Sequence, residues 1–376
     1  MLAEVDQGFI ARRQGVAPQG ELIHASADGP GIQRKRAGKG FSYVGPLGVR
    51  ITDKTVLKRI RGLVIPPAWR NVWICPDANG HIQAIGYDDR GRRQYRYHPR
   101  FREQRDSAKF ERLIEFAEIL PMLRAQVAAD MRAHGLGRDK VLATVVYLLE
   151  TTMIRVGNAT YAKENKSYGL TTLRNRHVKI VGGELRFDFK GKSGKIWRLN
   201  MQDRRVARIV RACQELPGQH LFQYLDDAGE RRTVSSEDVN GYLKAVSGRD
   251  ITAKDFRTWA GTVLAARALA QADVAESATA AKRALNAAVK LTAAKLGNTP
   301  AICRKSYIHP QILSAYLDGG LPLDIAEDEI EVCVGALRPD EAAVLAFLKS
   351  LNGERDDHGP SRVVQGPWPG LEAAAH

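Results

Sequence analysis

The hydrophobic period of this 376-residue chain changes near Ser107, from about two residues upstream to between three and four downstream, so one architecture cannot serve the whole length. Between Arg34 and Arg105 the pairs Val72/Ile74 and Ile82/Ala84 alternate with their neighbours on either side of an Asn79-Gly80 turn signal. A second signal, Asp89-Arg90-Gly91, precedes the stretch Gln94 to His98, and the whole predicts a small β-rich module. Beyond Ser107, Leu113, Phe116, Ile119 and Leu120, then Val141, Val145, Leu148 and Leu149, fall on helical spacing. Residues 184–200 interrupt these helices: Leu185, Phe187 and Phe189 alternate, Gly191 to Lys195 supply a turn, and Ile196 to Leu199 complete a hairpin. An alanine-rich helix is expected from Ala275 to Leu296, ended by Gly297 and Pro300. The expectation is an α+β protein. A weakly ordered arm covers 1–33, a basic β-rich domain 34–106, a mainly helical domain with a small β-hairpin insertion 107–350, and a loosely tethered tail 351–376.

Charge is as uneven as the pattern. The chain carries 57 Lys+Arg against 42 Asp+Glu, a net +15. Residues 31–100 alone hold 15 Lys/Arg and four Asp/Glu, most of the surplus, whereas the segment from Leu321 onward is acidic. So one-sided a block within a folding-competent stretch points to a polyanionic partner, nucleic acid first. Cys75, Cys213, Cys303 and Cys333 form no C-x-x-C pair and have no histidine at ligand spacing, which predicts reduced thiols and neither a zinc site nor a disulfide framework. The N-terminus lacks a basic and apolar leader, and no apolar run approaches the roughly 20 residues of a membrane span. A soluble, unexported protein is expected.

Residues 303–310 read Cys-Arg-Lys-Ser-Tyr-Ile-His-Pro, which sets Tyr307 behind Arg304 and Lys305 and ahead of His309. A tyrosine so placed is a candidate nucleophile toward a phosphate, although packing beside a helix end explains it as well. A phenol, with a pKa of about 10, needs cations that hold charge on both phenolate and phosphate. Displacement at a phosphodiester also requires donors at the non-bridging oxygens and a proton for the leaving alkoxide. It requires neither ATP nor a metal, because transesterification conserves the bond energy. Four residues fit these needs: Arg155 in Ile-Arg-Val-Gly-Asn at the end of an apolar helix, Lys192 on the hairpin tip, Arg257 in Thr-Ala-Lys-Asp-Phe-Arg-Thr, and Asn298 in Gly-Asn-Thr-Pro. Each has an ordinary alternative. Arg155 can cap a helix C-terminus, Lys192 can be a solvated turn lysine, Arg257 can pair with Asp255, and Asn298 can be a helix stop.

In this order and these contexts the set resembles the active site of the type IB DNA topoisomerases, of the compact bacterial and poxvirus-like group. The stretch from Tyr161 to Leu173, Phe-Lys-Gly-Lys-Ser-Gly-Lys around Lys192, and Pro-Pro-Ala-Trp-Arg-Asn-Val-Trp-Ile-Cys-Pro from Pro66 fit the same pattern, so the resemblance spans residues 34 to 320. It implies that the helical domain is of the tyrosine recombinase and type IB topoisomerase kind. It further implies that Tyr307 attacks one DNA strand to form a 3′-phosphotyrosyl bond, that Arg155 and Arg257 clamp the non-bridging oxygens, and that Lys192 protonates the departing 5′-oxygen. Arginine suits the clamp because its planar fork stays charged, and lysine suits the acid because its proton can leave. Asn298 departs from the pattern, since many relatives have histidine there. An amide can donate to a phosphate oxygen but cannot become cationic, so charge stabilisation without acid-base work is expected.

The resemblance also places the strand around Tyr95 and Tyr97 in a DNA major groove. Gln94, Tyr95 and Tyr97 are therefore expected DNA contacts, with Tyr161 and Lys163 from the second domain. A monomer clamped around duplex DNA in the cytoplasm, without cofactor or metal, follows from the family. The nearest rival is a tyrosine recombinase, which usually has histidine where this chain has Lys254, three residues before Arg257. A non-catalytic architectural DNA-binding protein leaves the tyrosine and its cations unexplained.

Overall fold

The computed structural model describes residues 21–272, 276–319, 321–323, 325 and 334–356. The arm up to residue 20, Cys333, most of the acidic stretch over 324–333 and the tail from 357 lie outside the described residues. The chain divides into two compact units, Met1–Lys109 and Phe110–His376.

In the first unit, β1 (Ile32–Ala37), β2 (Gly40–Val44), β3 (Arg70–Ile74), β4 (Ile82–Tyr87) and β5 (Arg93–Tyr97) form an antiparallel sheet in the order β2-β1-β3-β4-β5. Helix α1 (Lys54–Gly62) begins at Asp53, whose carboxylate accepts from the Thr55 and Val56 N–H groups. Alternation along β3 sends Val72 and Ile74 to one side, where they pack with Ile32, Ala84 and Ile60 of α1. Trp73 and Cys75 go to the other side with Ile85.

That second face is covered by residues 21–31. Ile23 N–H donates to Asn79 O at 2.9 Å, Ile23 O accepts from His81 N–H at 2.9 Å, and Trp73 Nε1 donates to Gly29 O at 3.1 Å. Gly31 makes the approach possible, since a Cβ there would lie 2.0 Å from Trp73 Nε1. The expected arm over 1–33 is corrected here, because its C-terminal part is fixed to the sheet. Its sequence hides this, as the strap is held by backbone hydrogen bonds and by Ala25 and Ala27 rather than by an apolar repeat.

Helix α2 (Pro99–Asp130) starts ahead of Ser107, where a helix was not expected to begin. Pro99 suits a first helical turn, while residues 100–105 are too polar to show a stripe. Helices α3 (Arg138–Thr152) and α4 (Ala159–Asn165) follow. A three-stranded antiparallel sheet comes next, β6 (Val178–Val181), β7 (Glu184–Lys190) and β8 (Ile196–Gln202). The expected hairpin is thus extended by β6, whose Val178 and Ile180 sit opposite Phe187 and Leu185. After α5 (Arg204–Glu215), the short strands β9 (Gln223–Leu225) and β10 (Arg231–Thr233) make a second hairpin that the sequence did not announce. Five helices complete the order, α6 (Ser236–Ser247), α7 (Ala253–Ala270), α8 (Ala278–Leu296), α9 (Pro300–Ser306) and α10 (Pro310–Leu317), before α11 (Pro339–Asp356). Ser277 caps α8, and the expected start at Ala275 lies outside the described residues. Helix α11 continues past Leu351, where a tail was expected.

Helix α3 is the hub of this unit: Val141, Leu142, Val145, Leu148 and Leu149 are all buried, and Phe116 of α2 meets Phe256 of α7 edge-on at 4.9 Å. A buried ion cluster joins four helices. Arg124 of α2 bonds Glu150 of α3 and both carboxylate oxygens of Glu341 of α11, at 2.6 to 2.8 Å, and Trp259 Nε1 of α7 donates to Glu341 at 3.2 Å. No helix among the described residues is long and apolar enough to cross a membrane.

Candidate active site

Four of the five expected catalytic residues converge at the end of α8. Helix α3 stops at Met153, which takes the left-handed conformation with φ 56°, and turns the chain out into the loop that carries Arg155. The loop is pinned by the turn that follows α4. Leu170 N–H donates to Arg155 O at 2.9 Å and Thr171 N–H to Val156 O at 2.7 Å. Gly169 is required there, since a Cβ would meet Arg155 O at 2.5 Å. This explains why the stretch from Tyr161 to Leu173 belongs to the site without contributing a reacting group from its second half.

Helix α8 ends on Gly297, left-handed at φ 63°, so Asn298 leaves the helix axis directly beside Arg155. Arg155 Nη2 donates to Gly297 O at 3.3 Å and to Asn298 Oδ1. That bond fixes the amide's orientation, because only its oxygen can accept from a guanidinium. Nδ2 therefore faces away as a donor, buried and without a partner among the described residues.

Arg257, on the buried face of α7, donates to Met153 O and, at 2.6 Å, to Leu296 O. Its Nε is likewise buried without a partner. Arg257 does not pair with Asp255, whose carboxylate closes the N-terminus of α7 by accepting from Thr252 N–H and Oγ1, both at 2.9 Å. Burial, and then the neighbouring Arg155, depress the pKa of the Arg257 guanidinium, while the Tyr307 side chain acts in the opposite sense by charge and hydrogen bonding. Burial lowers Arg155 as well, again offset by Tyr307. A buried guanidinium, Arg257, held close to the half-buried Arg155 gives this end of α8 a positive potential that an anion would relieve.

Tyr307 ends the short helix α9, its N–H donating to Cys303 O at 2.9 Å. Its ring lies with its centroid 5.4 Å from Arg257 Cζ. Arg304 and Lys305, its sequence neighbours, are exposed on α9. His309 is a structural group: its Nδ1 caps α10 at Gln311 N–H, 3.3 Å away, its N–H donates to Thr262 Oγ1 at 3.1 Å, and its ring meets Phe110 at 4.9 Å.

Lys192 lies on the exposed 3₁₀ turn between β7 and β8. Its Nζ stands 5.9 Å from the ring centroid of Tyr161, which is 45% exposed on α4. Lys163 is exposed on the same helix. Lys254 is exposed in the first turn of α7.

On β5 of the N-terminal unit, Tyr95 and Tyr97 share a face with rings stacked at 5.8 Å, Arg93 covers Tyr95 at 5.5 Å, and Gln94 donates to Asp88 at 3.0 Å. Tyr95 is 39% exposed, and the tyrosines sit opposite Ile85 and Ile82.

Comparison with known proteins gives the family. The family profile for the catalytic core of eukaryotic DNA topoisomerase I matches residues 98–320, and one for the N-terminal domain of bacterial DNA topoisomerase IB matches residues 40–88. The chain belongs to the type IB DNA topoisomerases. A DNA topoisomerase 1B of Acanthamoeba polyphaga mimivirus is 35% identical over 296 residues, covering 76% of this chain and 87% of the relative. The DNA topoisomerase 1B of vaccinia virus, strain Copenhagen, is 24% identical over 240 residues, covering 62% and 72% respectively.

One residue important to this topoisomerase site escapes sequence reading. Gly261 of α7 faces the backbone of Tyr307, and a Cβ there would lie 2.5 Å from Tyr307 O. A lone glycine inside a helical pattern carries no marker of what passes over it.

Proposed function

We propose that this topoisomerase relaxes positively and negatively supercoiled double-stranded DNA through a 3′-phosphotyrosyl intermediate, with the roles divided among the residues named above. The Tyr307 hydroxyl gives up its proton to solvent as its oxygen attacks the phosphorus, and the phosphorus bond to the 5′-oxygen breaks. Arg155, Arg257 and the Asn298 amide stabilise charge on the non-bridging oxygens, and Lys192 supplies the proton to the leaving oxygen. The uncut strand then serves as a swivel driven by the torsion of the DNA itself, and the 5′-hydroxyl attacks the phosphotyrosine to reseal it. The energy of the broken ester is kept in the new one, so neither ATP nor a metal enters.

The observation that carries this reading is the pair of buried donors without partners among the described residues, Arg257 Nε and Asn298 Nδ2, in the cluster that also holds Arg155 and the Tyr307 ring. Buried donors without acceptors cost a protein free energy, and they recur where a ligand supplies the acceptor. The donor set matches a phosphate, whose oxygens accept several charge-assisted bonds at once.

Gln94, Tyr95, Tyr97, Tyr161 and Lys163 are assigned to DNA contact. We assign the enzyme to the cytoplasm, at the nucleoid, acting as a monomer whose two units engage one duplex. The helical unit is taken to be of the kind shared with tyrosine recombinases, and Lys254 in place of histidine favours the topoisomerase over that rival. The test is incubation with supercoiled plasmid in EDTA without ATP. Relaxation of both signs of supercoil, lost in Tyr307→Phe with DNA binding retained, is expected. Binding without relaxation, or strand exchange between two defined sequences, would overturn the proposal.

A further inference from the structure

The indole of Trp197, on β8, spans two glycines that belong to different parts of the site. A Cβ on Gly191, immediately before Lys192, would lie 2.7 Å from Trp197 Cδ1, so the pyrrole edge of the ring covers the root of the lysine turn. A Cβ on Gly297, immediately before Asn298, would lie 2.6 Å from Trp197 Cζ2, so the benzo edge rests on the end of α8. Gly297 O accepts from Arg155, and Leu296 O, one residue earlier, accepts from Arg257. One rigid side chain therefore touches both the turn that holds Lys192 and the backbone that holds the two arginines.

The ring is itself fixed, stacked on Phe189 of β7 with planes 2° apart and centroids 6.3 Å apart. The turn beneath it is closed by Gly191 N–H donating to Lys195 O at 2.7 Å, and its first strand is tied down where Tyr168 N–H donates to Lys190 O at 2.8 Å. Lys192 is otherwise exposed, its tip leaning on the Tyr161 ring. A long, solvated lysine keeps several rotamers open, and its proton reaches a leaving oxygen only if the turn below is held against the clamp.

We propose that Trp197 is a positioning residue that docks the Lys192 turn onto Gly297 and so sets the acid against the phosphate held by Arg155, Arg257 and Asn298. This rests on Lys192 as the proton donor. When the P–O5′ bond breaks, the electron pair stays on the 5′-oxygen and the Lys192 proton neutralises it. Replacing that oxygen with sulfur gives a thiolate leaving group stable enough to depart without a proton.

The experiment measures single-turnover formation of the covalent DNA adduct by the full chain on an ordinary strand and on a 5′-bridging phosphorothiolate strand. Trp197→Ala is expected to be slower by about 100-fold on the ordinary strand, the scale of a misplacement near 1 Å, and to regain a rate within a few-fold of the unmodified enzyme on the sulfur strand. Trp197→Phe, which keeps the stack on Phe189 but cannot reach both glycines, is expected to show the same rescue with a smaller initial loss, and stands in if the alanine variant does not fold. Lys192→Ala is run alongside. If Lys192→Ala is rescued by sulfur and the Trp197 variants are not, the loss lies in the phosphate clamp and the role of Trp197 is overturned. If Lys192→Ala is not rescued, the lysine's role as acid falls instead.

Discussion

Gly261→Ala offers a quantitative test of how tightly Tyr307, the proposed nucleophile, is held. The added methyl group would sit 2.5 Å from Tyr307 O and 3.0 Å from Leu296 Cδ1. Ordinary van der Waals contact begins at 3.4 Å, so the Tyr307 carbonyl has to recede by about 0.9 Å. The neighbouring atoms leave little room. Ile308 and Leu296 are fully buried, and His309 is fastened to Thr262 one residue along α7. The displacement therefore passes to the tyrosine ring. A shift near 1 Å in a reacting group costs about 100-fold in rate, or about 2.7 kcal/mol. Overpacking of this size also costs about 1–3 kcal/mol of stability, a fall of roughly 2–4 °C in Tm per kcal/mol for a unit of this length. The assay is single-turnover adduct formation on a strand that cannot be resealed, with DNA affinity measured in parallel. Cleavage should fall by about two orders of magnitude at unchanged affinity. Cleavage within about threefold of the unmodified enzyme would refute the reasoning, since it would mean that the backbone at Tyr307 moves without disturbing the attack.

Asn298→Asp keeps the oxygen that accepts from Arg155 but replaces the outward donor with a second acceptor, so cleavage should fall by about 10²–10³-fold, the usual loss for one donor at a developing oxyanion. Adduct formation within threefold would show that the amide does not face the phosphate. In the N-terminal unit, His81 Nδ1 accepts from Ala25 N–H at 3.0 Å, and burial, followed by the charge of His24, whose ring stacks on it at 4.2 Å, lowers its pKa below 6.5. The unfolded chain therefore binds more protons than the folded one near pH 6, so the strap's stability is complete above pH 6.5 and declines as pH falls below it. Hydrogen exchange at Ile23 and Ala25, corrected for intrinsic rates, should accelerate between about pH 7.5 and pH 5.5, and His81→Gln should flatten the response. A flat profile in the unmodified protein would contradict it.

The alternation in β7 was legible because one of its faces must be apolar, and that requirement writes itself into every second residue, whereas β3 and β4 are covered on both faces and showed themselves through their apolar pairs and the turn signal between them. The short strands β9 and β10 were not, since Arg231 to Thr233 is wholly exposed and nothing in its composition demands a partner. In the site, residue types were readable and their support was not. Arg155, Arg257 and Asn298 were found by asking what a phosphate needs, but Gly169 and Gly261 act through their small size and Thr171 through its N–H and hydroxyl on Val156 O, and such roles appear only when a second segment arrives from along the chain. Asp255 shows the same limit in reverse. It neighbours Arg257 in sequence, yet helix geometry turns it to the cap.

The ion cluster at Arg124 also orders events in time. Its first carboxylate, Glu150, is made soon after the arginine, but its second, Glu341, is made long after Tyr307. Until it arrives, Arg124 lacks half of its negative charge and the Trp259 indole, two residues from Arg257, lacks its acceptor. A growing chain would thus carry Arg155, Lys192, Arg257, Asn298 and Tyr307 before it has the carboxylate that completes the bonding of Arg124 and Trp259. The helical unit therefore gains its full set of buried charge partners only once its closing helix has docked.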